Sequence, residues 1–249
     1  VSGPPVATAR TCATGWFGKV PALGDFVVRR LPASFRERWD TWLSEGMLAG
    51  ERALGDGWTD AFLSFPVWRF VWLDPARRTA WAGVLAPGAD RVGRLFPVTV
   101  ARELAPHERQ WPSFEHLDDW MDTLESYLLT LFEDDDVDAF DRALLGAAPP
   151  PDDDRTIALP EPARTGSATA VGSPASPAPP DAFDRPFDFD AAGTTPLGLA
   201  QAIAWQVLSR GAQPVAWFWC RDPDGATRTR LVGGGFSAAA FVALVRPQP

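Results

Sequence analysis

Lys19 and Asp25 stand in GWFGKVPALGDFV, residues 15–27, a stretch holding three glycines. A glycine-rich turn with a lysine is the raw material of a phosphate cradle, where backbone amides and an ammonium hold an anion. That chemistry needs a hydroxyl residue directly after the lysine to reach magnesium. Here Gly18-Lys19 runs into Val20 and Pro21. The hydroxyl is missing, and Pro21 removes an amide the cradle would use. GGGF at 233–236 has no lysine after it and fails the same test.

Other chemistries fare no better. His107 and His116 are the only histidines, nine residues apart and outside the usual spacings of metal ligands. EDDDVDAFD, 133–141, is acidic enough to attract calcium but lacks the glycine at its sixth position that a calcium loop turns on. A solvated acidic flank is the better reading. No serine elbow of the form GxSxG occurs, and carboxylates are abundant without pattern. The sequence therefore nominates no catalytic residue, no metal site and no cofactor.

Three sets of charged residues remain, each in apolar or glycine-rich surroundings. They are Lys19 with Asp25; Arg69, between Trp68 and Phe70; and Asp90, Arg91 and Arg94. A charge beside hydrophobic strands must be paired or must snorkel outward. The expectation is that Asp25 or Asp90 engages Arg69 or Arg94 as a structural clamp. Replacing Arg94 with methionine should then lower the melting temperature. The alternative is that Arg94 faces solvent on a partner-binding surface.

The elements that must position these residues are legible in part. A helix is expected in LPASFRERWDTWLSEGMLAGERALG, 31–55, with Ser34 as N-cap and Glu37 reciprocating. Phe35, Trp39, Trp42, Leu43, Met47 and Leu54 form its apolar stripe. Gly46 and Gly50 near that stripe predict a close crossing or a bend. PVWRFVWL (66–73) and TAWAGVLA (79–86) read as a hairpin, with Asp74 and Pro75 seeding the turn. Trp68, Phe70 and Trp72 alternate with Val67, Val71 and Leu73, so both faces of the sheet should be covered.

After a loop, PGADRVGR, and a short strand, LFPVTVA, the best helix spans about 114–132, with Leu117, Trp120, Met121, Leu124, Leu128, Leu131 and Phe132 on one face. Asp118, Asp119, Asp122 and Glu125 point elsewhere, near the helix N-terminus where the dipole favours them. A shorter helix should end at Gly146. A further helix is expected after Thr195 and Pro196, then strands at 214–220 and 226–232 around the turn RDPDG. SAAAFVALV, 237–245, suits a helix capped by Ser237 or a strand. The fold class is α/β (α+β), a mixed, largely antiparallel sheet with helices packed on its faces.

The organisation follows from composition. Residues 1–14 read as a flexible N-terminus and 15–146 as the main part of the domain. Residues 147–182, rich in Pro, Ala, Ser and Asp, read as a flexible insertion with TIALP a possible ordered island. Residues 183–246 read as completing the same domain. With 46% hydrophobic residues the chain can bury a real core, and a net charge of −9 argues against nucleic acid as a partner. Cys12 and Cys220 are the only cysteines and read as thiols of a reducing compartment. No apolar run reaches membrane-spanning length, so a cytoplasmic location without membrane insertion is expected. The oligomeric state is left open.

These residues carry a family likeness. GWFGKVPALGDFVVRRLP, FRERWDTWLSEGM, PVWRF, AGVLAPGADRVGRLFPVTV and the later AWFWC occur in an order that resembles the TagF family of type VI secretion system-associated proteins. The matching positions are Gly18, Lys19, Pro21, Gly24, Asp25 and Phe26; Phe35, Trp39 and Trp42; Trp68, Arg69 and Phe70; Val84, Leu85 and Pro87; and Asp90, Arg91, Val92, Gly93, Arg94, Phe96 and Pro97. The chain departs from the family pattern at Gly88 and Ala89, and at Ala216 before Trp217.

The resemblance implies a non-enzymatic, cytoplasmic regulator that acts after translation to restrain assembly or firing. It also implies a partner, a forkhead-associated scaffold protein of the same apparatus. A structural or chaperone-like adaptor is the alternative, and a hydrolase using His107 or His116 the outsider. A binding protein needs exposed aromatic anchors. Trp16 and Phe17, then Trp58 and Trp111, are the candidates for exposed aromatics; the alternative is that all four plug the edges of the sheet.

Overall fold

The computed structural model describes residues 13–74, 77, 79–104, 110–111, 114–147, 157–158, 187–190, 214–221, 227–233 and 236–246. The N-terminal residues through Cys12, His107, most of 147–182, and the helix expected after Thr195 lie outside them, as does the side chain of Trp111.

The strands are β1 (Gly15–Gly18), β2 (Val27–Arg29), β3 (Trp68–Asp74), β4 (Thr79–Ala86), β5 (Val98–Leu104), β6 (Gln110–Trp111), β7 (Ile157–Ala158), β8 (Phe187–Asp190), β9 (Val215–Arg221) and β10 (Thr227–Gly233). The helices are α1 (Ala33–Leu54), α2 (Trp58–Ser64), α3 (Phe114–Asp134), α4 (Val137–Gly146) and α5 (Ala238–Val245). Eight strands form one sheet in the order β2-β1-β5-β4-β3-β9-β10-β8, while β6 pairs with β7. Every neighbouring pair is antiparallel, so the sheet is not mixed.

Alternation along the strands builds two cores. One face of the sheet gathers Trp16, Val71, Leu73, Ala82, Val84, Val98, Val100, Trp217 and Trp219 against Leu117, Trp120, Met121, Leu124 and Leu128 of α3 and Phe140 and Leu144 of α4. The other gathers Phe17, Trp68, Phe70, Trp72, Trp81, Leu85 and Phe218 against Phe35, Trp39, Trp42 and Leu43 of α1, Phe62 of α2, and Phe241 and Leu244 of α5. The result is three layers, helix on sheet on helix. Buried tryptophans spend their N–H groups inside: Trp39 Nε1 donates to Thr99 Oγ1 (2.8 Å), Trp42 Nε1 to the Ser237 carbonyl (3.0 Å) and Trp68 Nε1 to the Leu244 carbonyl (3.1 Å).

Helix starts differ in how well local signals foretold them. α1 begins at Ala33, because the Pro32 carbonyl already accepts from the Phe35 and Arg36 amides (3.2 and 3.0 Å). Ser34 is therefore inside the first turn, and no side-chain cap forms. Asp136 caps α4 by accepting from the Ala139 amide (2.8 Å), and Ser237 caps α5 by accepting from the Ala240 amide (3.2 Å), which makes 238–245 a helix. Gly46 is a true crossing point. A Cβ there would lie 2.4 Å from the Phe241 Cβ, so α5 lies directly on α1.

The opening stretch is itself two strands. β1 is paired on both sides, Trp16 with Arg29 and Val100, and both of its faces are covered. The expectation that Trp16, Phe17 and Trp58 are exposed does not hold. Trp16 is 0% exposed, against Phe140 of α4; Phe17 points to the opposite core; Trp58 opens α2 and fills the gap left at Gly50. Trp16 Nε1 donates to Asp141 (2.8 Å), which also takes two bonds from Arg30 (2.7 and 2.8 Å), pinning β1 to α4. The Arg30 guanidinium, ahead of the opposing desolvation, holds the Asp141 carboxyl below the usual range.

Candidate site at the Lys19 and Asp90 loops

Two loops meet at the end of β1. The first runs from Lys19 to Phe26 between β1 and β2; the second is the turn Asp90–Arg94 between β4 and β5. Gly18 lets them approach. It has φ 143°, and a Cβ on it would lie 2.3 Å from the Pro97 carbonyl oxygen.

Asp90 is the hub. Its Oδ1 accepts from the Val92 and Arg94 amides (3.1 and 2.9 Å), and its Oδ2 from Arg94 Nε (2.6 Å). Lys19 Nζ completes the set at 3.3 Å. Burial alone would raise the Asp90 carboxyl, but the Arg94 amide, the Arg94 and Lys19 side chains and the Val92 amide outweigh it and hold the group well below the carboxylate range. The turn is closed by Gly93 N donating to the Asp90 carbonyl (2.8 Å) and Asp90 N donating to the Arg94 carbonyl (3.1 Å). It is stitched to the first loop by Arg91 N on the Leu23 carbonyl (2.9 Å) and Arg94 Nη2 on the Gly24 carbonyl (2.6 Å).

So the expected clamp forms as Asp90 with Arg94. Asp25 takes no part in it; its carboxylate accepts the neighbouring Phe26 amide (2.8 Å). Arg94 is paired with Asp90 and yet its side chain is 58% exposed. Lys19 is buried beneath the turn with Nζ 4.9 Å from the Phe26 ring centroid. Phe26 packs edge-on against Phe96 (4.8 Å) and stacks on Phe17 (6.0 Å). The Lys19 ammonium is thus shared between the Asp90 carboxylate and the Phe26 ring. Pro21 is exposed, while Phe96 and Pro97 are buried.

Arg69 is placed elsewhere, and its clamp differs from the expected one. β3 lies in the middle of the sheet, so an edge position is not available. Arg69 points to the α3 side and donates to Asp118 Oδ1 (2.5 Å), Glu125 Oε2 (2.9 Å) and Asp122. Arg221 from neighbouring β9 also donates to Asp118 and Asp122, and Trp219 Nε1 to Asp118 Oδ1 (2.9 Å). Burial opposes the Arg69 charge, but bonds to Glu125 and Asp118 keep its pKa above the ordinary value. From sequence these carboxylates, at 118, 122 and 125, had only the helix dipole as a role; that they form one face toward the sheet was missed. Their i, i+4, i+7 spacing was the signal.

A cleft of about 540 Å3 opens between α3 and α4, lined by Tyr127, Leu131, Asp134, Asp136, Phe140 and Ala143 among others. Asp136 is already spent as the α4 cap. Among the described residues no group of three His, Cys, Asp or Glu side chains could hold a metal ion. Cys220 is buried on β9.

Fold and site together define an α/β domain whose motif charges hold loops and helices in place. The chain belongs to the TagF family: the family model for the TagF N-terminal domain, type VI secretion system-associated, matches residues 15–146, just over half its length. It is also similar to the crystal structure of PA0076 from Pseudomonas aeruginosa PAO1, with 30% identity over 95% of this chain and 96% of that one, and a TM-score of 0.66. The comparison with curated proteins gave no match.

Proposed function

We propose that this type VI secretion-associated protein is a non-enzymatic regulator, acting in the cytoplasm to restrain assembly or firing by binding a forkhead-associated scaffold protein of the apparatus. One observation carries the reading. Four of the charged residues of the family motif are spent on holding structure, Lys19 and Arg94 on Asp90 and Arg69 on α3, where a catalyst would hold them ready for substrate. A protein built this way acts by presenting a shaped surface. Among the described residues no helix is long and apolar enough to cross a membrane.

The test is direct. The purified chain is mixed with the purified scaffold protein and binding is measured by calorimetry, alongside secretion from cells that overproduce the chain. Micromolar or tighter binding together with reduced secretion supports the reading. Absence of binding overturns it, and co-sedimentation with the assembled machine without loss of secretion favours the adaptor.

A further inference from the structure

We propose that the joined tip formed by Gly24–Phe26 and Asp90–Arg94 is the surface that grips the partner, and that it takes an acidic segment with an apolar anchor site. The inference rests on the regulatory reading above and adds the place and chemistry of contact.

The tip is rigid. Asp90 fixes the turn from within, and the Leu23 and Gly24 carbonyls fix it to the neighbouring loop. A preorganised surface loses little conformational freedom on binding. On this platform stand Phe26, 45% exposed, and Val92, 70% exposed. The other large exposed apolar side chains among the described residues, Leu48, Leu63, Leu129 and Leu145, lie on four different helices. Only here do two come from hydrogen-bonded loops.

Charge selects the partner. Arg91 spends its backbone amide on Leu23, but its exposed guanidinium makes no hydrogen bond among the described residues. Its Nη2 lies 3.5 Å from where a Cβ on Gly24 would stand, and Arg94 Nη2 binds the Gly24 carbonyl. Two guanidinium groups therefore converge on one residue, and Asp90 neutralises one of them. Within residues 19–26 and 90–94, Lys19, Arg91 and Arg94 stand against Asp25 and Asp90, a positive surplus in a chain of net charge −9. A carboxylate is the natural complement, held by an arginine fork.

The experiment uses the full chain and the purified forkhead-associated scaffold protein. Arg91→Glu and Val92→Asp alter exposed side chains that hold nothing together, so both variants should keep the wild-type melting curve. Each should weaken binding by about tenfold or more, and wild-type affinity should fall as NaCl rises from about 50 to 300 mM. Leu145→Asp, on α4, should bind as wild type does. If wild type binds and both tip variants bind equally well, the surface is wrong and the regulatory reading stands. If wild type fails to bind, both fall. A concentration-dependent dimer of the wild type, abolished by Arg91→Glu in sedimentation, would give the tip to a second copy and overturn the proposal.

Discussion

Asp90 accepts bonds from two amides and a guanidinium and faces an ammonium, and its carboxyl is held below the ordinary 3.8. A group whose folded pKa is depressed stabilises fully above its unfolded value and loses that contribution as pH falls through the folded value. Asp90→Asn should therefore lower the melting temperature by several degrees at pH 7, and the gap to wild type should shrink progressively below about pH 4. A gap that stays constant from pH 7 to pH 3 would mean that the charge is not the cause. Arg94→Met should cost less, about 0–1 kcal/mol, because its side chain is solvated and Lys19 still faces Asp90. From sequence, Asp90 with Arg94 was one of four pairings left open, Asp25 or Asp90 with Arg69 or Arg94. Asp25 was not separable from them, since its role depended on where the first loop pointed.

At the scale of elements, α5 and α3 are held in different ways. α5 lies on α1 with no room for a methyl group at Gly46, so Gly46→Ala should destabilise by about 1–3 kcal/mol in chemical denaturation, with the cost in displaced Phe241. α3 is stapled to the sheet by Arg69. Arg69→Met should cost about 3 kcal/mol, the low end for breaking a buried ion pair, because Asp122 is partly solvated and Arg221 still covers Asp118. Equal denaturation midpoints would show that the carboxylates rearrange without penalty. The helices α1, α3 and α4 and the β3–β4 hairpin were legible because their signals lie within one element: apolar stripe and alternation. The edge strand β8 was missed although Phe187-Asp188-Phe189-Asp190 alternates, since four residues give a weak period. β1 and β2 were missed for the same reason, being short and glycine-flanked.

Across the whole molecule, the family match ends at Gly146, but the sheet does not. β3 pairs with β9 along Arg69–Leu73, and α1 packs on α5. A fragment of residues 15–146 would leave β3 as an unpaired, aromatic edge and uncover Trp42, Trp68 and Phe70. It should therefore lack a cooperative thermal transition and self-associate. Co-expression with residues 183–246 should restore the transition and prevent the self-association, as read by circular dichroism and gel filtration. A fragment that melts cooperatively alone would show that the C-terminal strands are an accessory.

The sequence by itself determined what each segment can bury and with what period, because hydrophobic alternation, helical stripes and caps are written within a few neighbouring residues. It also settled that the Lys19 stretch departs from a nucleotide cradle, because a missing hydroxyl is a matter of composition. Only the tertiary structure decided which charge meets which. Lys19 with Asp90, Arg69 with α3, and Trp16 with Asp141 join residues 71, 49 and 125 positions apart at their nearest, and such partners are chosen by the stacking of layers, which no local pattern encodes.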